Sequence, residues 1–148
     1  MNQALLHDLQ RLTRASQQAD DLLAYGRDWT RIHQPNPACL CWPAHVEEVA
    51  AVLEFCSQRG LAVVPSGGRT GLVGGAVASA GEIVMSLERL QTTGSLDPFG
   101  LTLQVGAGLT TEQVHRQLAP AGLTWPIDLA AKGSSQIGGN LATNAGGV

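Results

Sequence analysis

Pro65-Ser66-Gly67-Gly68-Arg69-Thr70-Gly71-Leu72-Val73-Gly74-Gly75-Ala76 is the stretch of this chain whose residue types and spacing point most directly to chemistry. Glycines at 67, 68, 71, 74 and 75 remove Cβ atoms where a chain must turn sharply. Successive N–H groups can then face one concavity and bind an anion. Thr70 adds a hydroxyl. A pyrophosphate, whose many oxygens need many donors at short range, is the guest such a loop fits. A plain flexible loop is the competing reading, but a linker carries serine where Leu72 and Val73 stand.

A second such stretch runs from Asp128 to Gly147, Asp-Leu-Ala-Ala-Lys-Gly-Ser-Ser-Gln-Ile-Gly-Gly-Asn-Leu-Ala-Thr-Asn-Ala-Gly-Gly. Ser134, Ser135, Asn140, Thr143 and Asn144 offer side-chain donors and acceptors, and Gly138 and Gly139 permit close approach. This suits a flat polar ligand held along its length. Other nucleotide loops do not match. A P-loop needs Gly-Lys-Ser/Thr, which is absent from the sequence. Val105-Gly106-Ala107-Gly108 hints at a dinucleotide fingerprint, with Asp128 further on, but its third position is Thr111. It is read as a turn leading into a helix. Cys39-Leu40-Cys41, with His33 and His45 nearby, is poor zinc spacing, so no metal site is assigned and the thiols are read as buried and inert. His115 is read as a solvated helix position. Trp29, Trp42 and Trp125 are spread as packing residues are, and no catalytic residue is assigned.

The elements that must position these stretches follow from periodicity. Leu5, Leu6, Leu9 and Leu12 predict a first helix over residues 2–18. Residues 20–44 read as extended chain with a short strand at Cys39–Trp42. After Pro43, an amphipathic helix presents Val46, Val49, Ala50, Leu53 and Cys56 on one face and stops at Gly60. Leu61–Val64 is a strand ended by Pro65, Glu82–Leu87 a second, Gly94–Gly100 a polar turn, and Leu101–Val105 a third strand. Thr110 and Gln113 form a capping box, with Leu109 and Val114 as its hydrophobic staple. Val114, Leu118 and Ala121 face the core, Gly122 ends the helix, and Leu123–Ile127 is a further strand. The fold class is α+β (mixed α/β), without the strict alternation of a doubly wound sheet.

Composition agrees with a globular protein: 148 residues, 44% hydrophobic and 14% charged. A formal charge of −3 gives no basic footprint for nucleic acid. No apolar run approaches the roughly 20 residues needed for a membrane span. Three cysteines, an odd number, argue for a reducing compartment, and the expected location is cytoplasmic.

Taken together, the two glycine stretches resemble the FAD-binding domain of the vanillyl-alcohol-oxidase (PCMH-type) flavoprotein superfamily, as its N-terminal portion. Within it they look most like the branch holding D-2-hydroxyglutarate dehydrogenase, D-lactate dehydrogenase and the glycolate oxidase FAD subunit. Trp42-Pro43 with Val46-Glu47-Glu48-Val49, Val64 through Gly75, Asp128 through Ser134, and Ile137 through Asn140 with Thr143 through Gly147 carry the resemblance. It implies a domain over residues 21–148, preceded by the helix of residues 1–20.

It implies FAD as cofactor, bound by Pro65 and Ser66 and held at its pyrophosphate by the backbone N–H groups of Gly67, Gly68, Arg69, Thr70, Gly71 and Leu72. Gly133, Ser134, Gly138, Gly139, Asn140 and Thr143 would line the flavin and ribityl side, with Ile137 also binding the cofactor, Asp128 either at the flavin or substrate surroundings or a structural cap, and Arg27–Asp28 near the cofactor. It also implies oxidation of a small D-2-hydroxy acid by hydride transfer to flavin N5. Some members attach flavin through a His after the Gly-Gly; Arg69 stands there, so non-covalent FAD is expected. A flavin reductase of the same fold using NADPH, or a non-catalytic truncated FAD-binding module, are the alternative readings. Because the sequence stops at Val148 inside the motif, the chain is expected to be a fragment or truncated product, inactive alone, with the hydroxy-acid site in a further domain.

Overall fold

The computed structural model of the chain describes residues 3–147. The first helix, α1, spans Gln3–Gln10 and is shorter than expected. Residue 2 lies outside the described residues, and Arg14–Ser16 form a strand, β1, instead of a further helical turn. β1 is drawn out of the helix by pairing antiparallel with β2 (Cys39–Trp42), from Arg14↔Trp42 to Ser16↔Leu40. A second helix, α2 (Ala19–Tyr25), occupies part of the stretch expected to be extended, with Asp20 and Asp21 in its first turn complementing the helix dipole.

β2 alternates sharply. Cys39 and Cys41 join Leu9, Val52, Cys56, Ile83 and Met85 on one face of the sheet. Leu40 and Trp42 join Ala78 and Val84 on the other, with Leu22, Tyr25 and Val64 packed against them. Helix α3 (Val46–Gln58) covers the cysteine face. Its buried stripe is Val52 and Cys56, with Val49 and Phe55 half-buried, whereas Val46 (72% exposed) and Leu53 (44%) point outward. The apolar face is therefore rotated from the one expected. α3 carries apolar side chains most of the way round, so tertiary contact with the sheet, not periodicity, selects the stripe. Gly60 ends α3 at φ 63°, as expected.

The sheet order is β1-β2-β4-β3, with β2, β4 (Ile83–Ser86) and β3 (Val63–Ser66) parallel. Pro65 lies inside β3 rather than ending it, pairing with Met85. β3 is an edge strand, where a residue lacking N–H is tolerated. The three parallel strands thus end on one side, and the first glycine loop leaves the sheet there, which is where open α/β sheets bind ligands.

The remainder forms a second layer. β5 (Thr93–Asp97) and β6 (Thr102–Val105) make an antiparallel hairpin, so the expected turn at 94–100 begins later, after Asp97. Helix α4 (Thr111–Leu118) starts at the predicted capping box: Gln113 N donates to the Thr110 hydroxyl, and Thr110 N to Gln113 Oε1 at 2.7 Å. Leu109, Val114, Leu118 and Ile137 form this layer's core, but Ala121 is exposed. After a 3-10 turn (Ala119–Ala121) and Gly122 at φ 68°, the strand expected at 123–127 is absent. His115, half-buried rather than solvated, meets the Trp125 and Ile127 carbonyls there at 3.0 and 3.2 Å, so they need no strand partner. A last short helix, α5 (Ile137–Ala142), closes the layer.

Two glycines seat the second layer on the first. A Cβ on Gly106 would overlap the Leu90 carbonyl, and one on Gly108 the Leu87 carbonyl. In return Gly108 N donates to Leu90 O at 2.9 Å. The Val105–Gly108 turn into α4 is thus as expected, and its glycines are there for contact.

Leu40 is fully buried at the centre of the sheet. Leu40→Ala should cost about 2–5 kcal/mol, read as a lower urea midpoint with an unchanged slope. A variant within about 0.5 kcal/mol of the parent would show that this face is not the packed core.

Candidate functional site

The first glycine loop runs from the end of β3 across the C-terminal edge of the sheet. Among the described residues, the main-chain N–H groups of Gly67 through Val73 donate to no protein acceptor, nor does the Thr70 hydroxyl. Backbone groups are ordinarily paired, and such a long run of open donors marks a segment whose partners come from outside the chain. The loop thus carries a run of open main-chain donors.

Its ends are pinned. Asp28, 4% exposed, accepts from Gly74 N at 3.0 Å with Oδ2, and from Thr30 N and Oγ1 at 3.0 and 2.7 Å with Oδ1. These bonds, the Thr30 hydroxyl first among them, hold the Asp28 carboxyl below its ordinary range. Trp29 N reaches Gly71 O at 3.3 Å. At the other end Arg69 turns back: Nη1 donates to Gly67 O at 3.0 Å, and the guanidinium lies 4.3 Å over the Tyr25 ring. Ser66 is fully buried with its hydroxyl turned toward Tyr25 O, and Pro65 faces outward on the strand edge.

The second stretch comes to meet the first. A Cβ on Gly68 would overlap the Ser134 carbonyl and crowd Ser135, and one on Gly67 would lie 3.4 Å from Gln136 Oε1. The two Cβ-poor segments, separated by over sixty residues in sequence, are in main-chain contact. Thr111 N donates to Ser135 O at 3.0 Å, and Asn140 Nδ2 to Thr111 Oγ1 at 2.7 Å, fixing this stretch from behind.

The structure sorts the remaining sequence-predicted residues. Asn140 is buried with its amide turned inward, and the Thr143 hydroxyl donates to Gly139 O at 2.8 Å. Gly138 approaches Ala107, whose Cβ would lie 2.7 Å from one on Gly138 and whose carbonyl accepts from Gly138 N at 3.0 Å. Ile137 belongs to the second core. Asp128 pairs with Lys132 Nζ at 2.9 Å, and that bond chiefly lowers its pKa. Gly133, Ser134 and Gly139 lie toward the surface, as do Gly71 and Leu72.

Gln136 is the residue that sequence reasoning passed over. It is 8% exposed, its Oε1 has no hydrogen-bond partner, and it borders an open cleft of about 580 Å³. Glu88, Arg89, Gly108, Thr110 and Gln113 also line that cleft. A buried acceptor without a donor is costly and calls for one. The signal available was its position between Ser135 and Ile137 inside the second stretch. Tyr25 links the two regions: its hydroxyl donates to Glu88 Oε1 at 2.8 Å, and burial, aided by Glu88, raises its pKa and keeps it a donor. The thiols take no part. Burial pushes Cys39 up to about 11 and Cys41 to about 12, so both stay protonated.

Comparison with known proteins matches this geometry. Residues 37–148 fit a family model described as FAD binding domain. A D-2-hydroxyglutarate dehydrogenase of Xanthomonas citri pv. viticola is 54% identical over 128 residues, 86% of this chain and 27% of the relative. One of Stutzerimonas stutzeri is 42% identical over 130 residues, 88% of this chain and 28% of the relative. The chain thus spans 27–28% of the length of these curated relatives. Among solved structures, an alkyldihydroxyacetonephosphate synthase superposes on 99% of this chain and 30% of its own, with TM-score 0.88 at 17% identity. Cholesterol oxidase from B. sterolicum covers 82% and 23%, with TM-score 0.68 at 23% identity. These likenesses establish the fold, that of PCMH-type FAD-binding domains.

The Asp28 clamp predicts an acid response. Its carboxyl is held below the ordinary value of 3.8, so its contribution is complete above that value and fades as pH falls through the lower, folded one. The Gly74 amide shift, followed by NMR, should titrate with a midpoint under 3.8, and Asp28→Asn should abolish the titration. A midpoint at or above the ordinary value would remove the clamp.

Proposed function

The chain belongs to the family of FAD-binding domains, and from that premise we propose that it holds FAD non-covalently in the seam between its two glycine segments. The parent protein, on this reading, is an oxidoreductase that turns a small D-2-hydroxy acid into the 2-oxo acid. The observation that carries the reading is the run of open amides from Gly67 to Val73, set against a second glycine segment at Ser134.

The residues present fit the group on three counts. Open donors face a ligand needing many at once. The unpartnered Gln136 Oε1 requires a donor from outside the chain. Gly71, Gly75 and Gly139 have no left-handed φ, and nothing lies within 4 Å of the point where a Cβ would stand, so space is kept there. On this reading the amides of Gly67 through Leu72 and the Thr70 hydroxyl hold the diphosphate. Gly133, Ser134, Gln136 and Gly139 line the remainder of the ligand. Ile137, Gly138, Asn140 and Thr143 shape that wall from behind, and the Asp128–Lys132 pair stiffens the approach to it.

When bound, FAD supplies a hydride acceptor at flavin N5, the chemistry that oxidation of a 2-hydroxy acid needs. The substrate class is supported by the dehydrogenases that share half or nearly half of the aligned residues. Non-covalent binding is supported by Arg69 at the first loop's turn, whose guanidinium is already engaged with Gly67 and Tyr25. A reducing compartment such as the cytoplasm is supported by three free, buried thiols.

FAD titrated into the purified chain should show saturable quenching of flavin fluorescence and be recovered in the supernatant after acid precipitation. Colour retained in the pellet would mean a covalent bond, and no saturation would remove the reading. Gly71→Ala meets open space, so it should leave thermal stability within about 2 °C yet weaken FAD by about tenfold or more. Gly68→Ala should lower both, because its Cβ strikes the Ser134 main chain.

A further inference from the structure

We propose that Arg69 is the positioning residue that braces the diphosphate loop, folding back on Gly67 and Tyr25 so that the open amides of Gly67 through Val73 keep their place. The inference rests on the FAD reading above and assigns a part of that site to a side chain aimed away from the open amides.

Three observations combine. First, Arg69 stands at φ 56°, in the left-handed region that disfavours any residue with a Cβ. Glycine would sit there without strain, and glycines are plentiful in this loop, so the side chain must contribute what the backbone forgoes. Second, the side chain is fully used inside the protein. Nη1 donates to Gly67 O at 3.0 Å and lies 3.5 Å from Ser66 Oγ, while the guanidinium covers the Tyr25 ring at 4.3 Å. The bond to Gly67 closes the loop upon itself. The stack ties the loop to a ring that is itself fixed, edge-on to Trp42 at 5.5 Å and by its hydroxyl to Glu88. Trp42 is buried in the sheet core, so the brace runs from the loop to the most rigid part of the fold. Third, among the described residues Arg69 forms no ion pair, although it is half-buried. Its charge therefore remains to favour an anion at the neighbouring amides.

A purely conformational role and a bracing role make opposite predictions for Arg69→Gly. Glycine keeps the bend and relieves its strain. If the bend alone matters, Arg69→Gly binds FAD as tightly as the parent, and the proposal falls. The brace predicts FAD binding about ten- to a hundredfold weaker, with a melting temperature no lower than the parent's by more than about 2 °C. Arg69→Lys separates charge from geometry. It keeps the cation but loses the planar fork, so it should bind more weakly than the parent, though less weakly than Arg69→Gly; parental affinity in this variant would overturn the brace in favour of charge alone. Tyr25→Leu should weaken FAD in the same way, and adding Arg69→Gly to it should cost less than the two separate losses together; full additivity would overturn the stack.

A readout without flavin keeps the two readings apart. In the apo chain, the 15N order parameters of Gly67, Gly68 and Gly71 should fall in Arg69→Gly. If they do so while the parent fails to bind FAD, the brace stands and the functional reading fails. If they are unchanged while the parent binds FAD, the brace fails and the functional reading stands.

Discussion

Two main chains can lie directly against each other only where no side chain keeps them apart, and at Gly68 the loop leaving β3 lies against the carbonyl of Ser134. That contact joins the two layers of the chain at the edge where the parallel strands end. The same device recurs behind it, where Gly106 and Gly108 rest on the Leu90 and Leu87 carbonyls and Gly138 on Ala107. These glycines are fixed by what they touch, because none of them has a left-handed φ. A methyl group at any of them would have to move backbone, which a packed interior does not permit cheaply. The seam between the layers is therefore narrow by construction.

The first loop is also fixed at both ends. The parallel strands β2, β4 and β3 bring Trp42, Ser86 and Ser66 to one edge, all of them buried. From that edge the first loop is held at one end by Arg69 and at the other by Asp28. One is a cation on an aromatic ring, the other a carboxylate accepting three hydrogen bonds. Neither aims at the open amides, so the donors are positioned without being consumed. A binding site carried on a loop gains precision in this way, by fixing both ends of the loop to rigid elements.

Much of this is legible in the sequence, and for physical reasons. The capping box at Thr110 and Gln113 is a local signal and forms where its residues stand, as do β2 and the stop at Gly60. The glycine stretches are legible because few pressures other than close approach maintain so many residues without Cβ. What is not legible depends on partners distant in sequence. Arg14–Ser16 is a strand because Trp42, Cys41 and Leu40 are there to pair with it. The buried stripe of α3 is set by the sheet, since its own periodicity allows more than one face. Pro65 stays in its strand because β3 happens to be an edge. Residues 123–127 fail to form a strand because His115 takes up two of their carbonyls. Within the site, Asp28 as a clamp and Gln136 as an unpartnered acceptor emerge only when the two segments meet.

Water also satisfies open amides in a surface loop. What water does not explain is residue choice. Gly71, Gly75 and Gly139 weaken the local chain entropically and gain nothing from neighbours or from a positive φ. Gln136 carries an amide oxygen into a buried position and leaves it unpaired, where an apolar residue would avoid the cost. Arg69 accepts a left-handed backbone that any of the adjacent glycines would adopt freely. Arg69 recovers its loss through Gly67 and Tyr25, whereas the three glycines and Gln136 have no compensation inside the chain, and all four lie in the two segments that meet at Gly68 and Ser134. A single external group lying along both segments would offset those four losses together. A dinucleotide with a diphosphate at its centre asks for that set: many donors, little steric bulk, and a positive charge held nearby but not in the way.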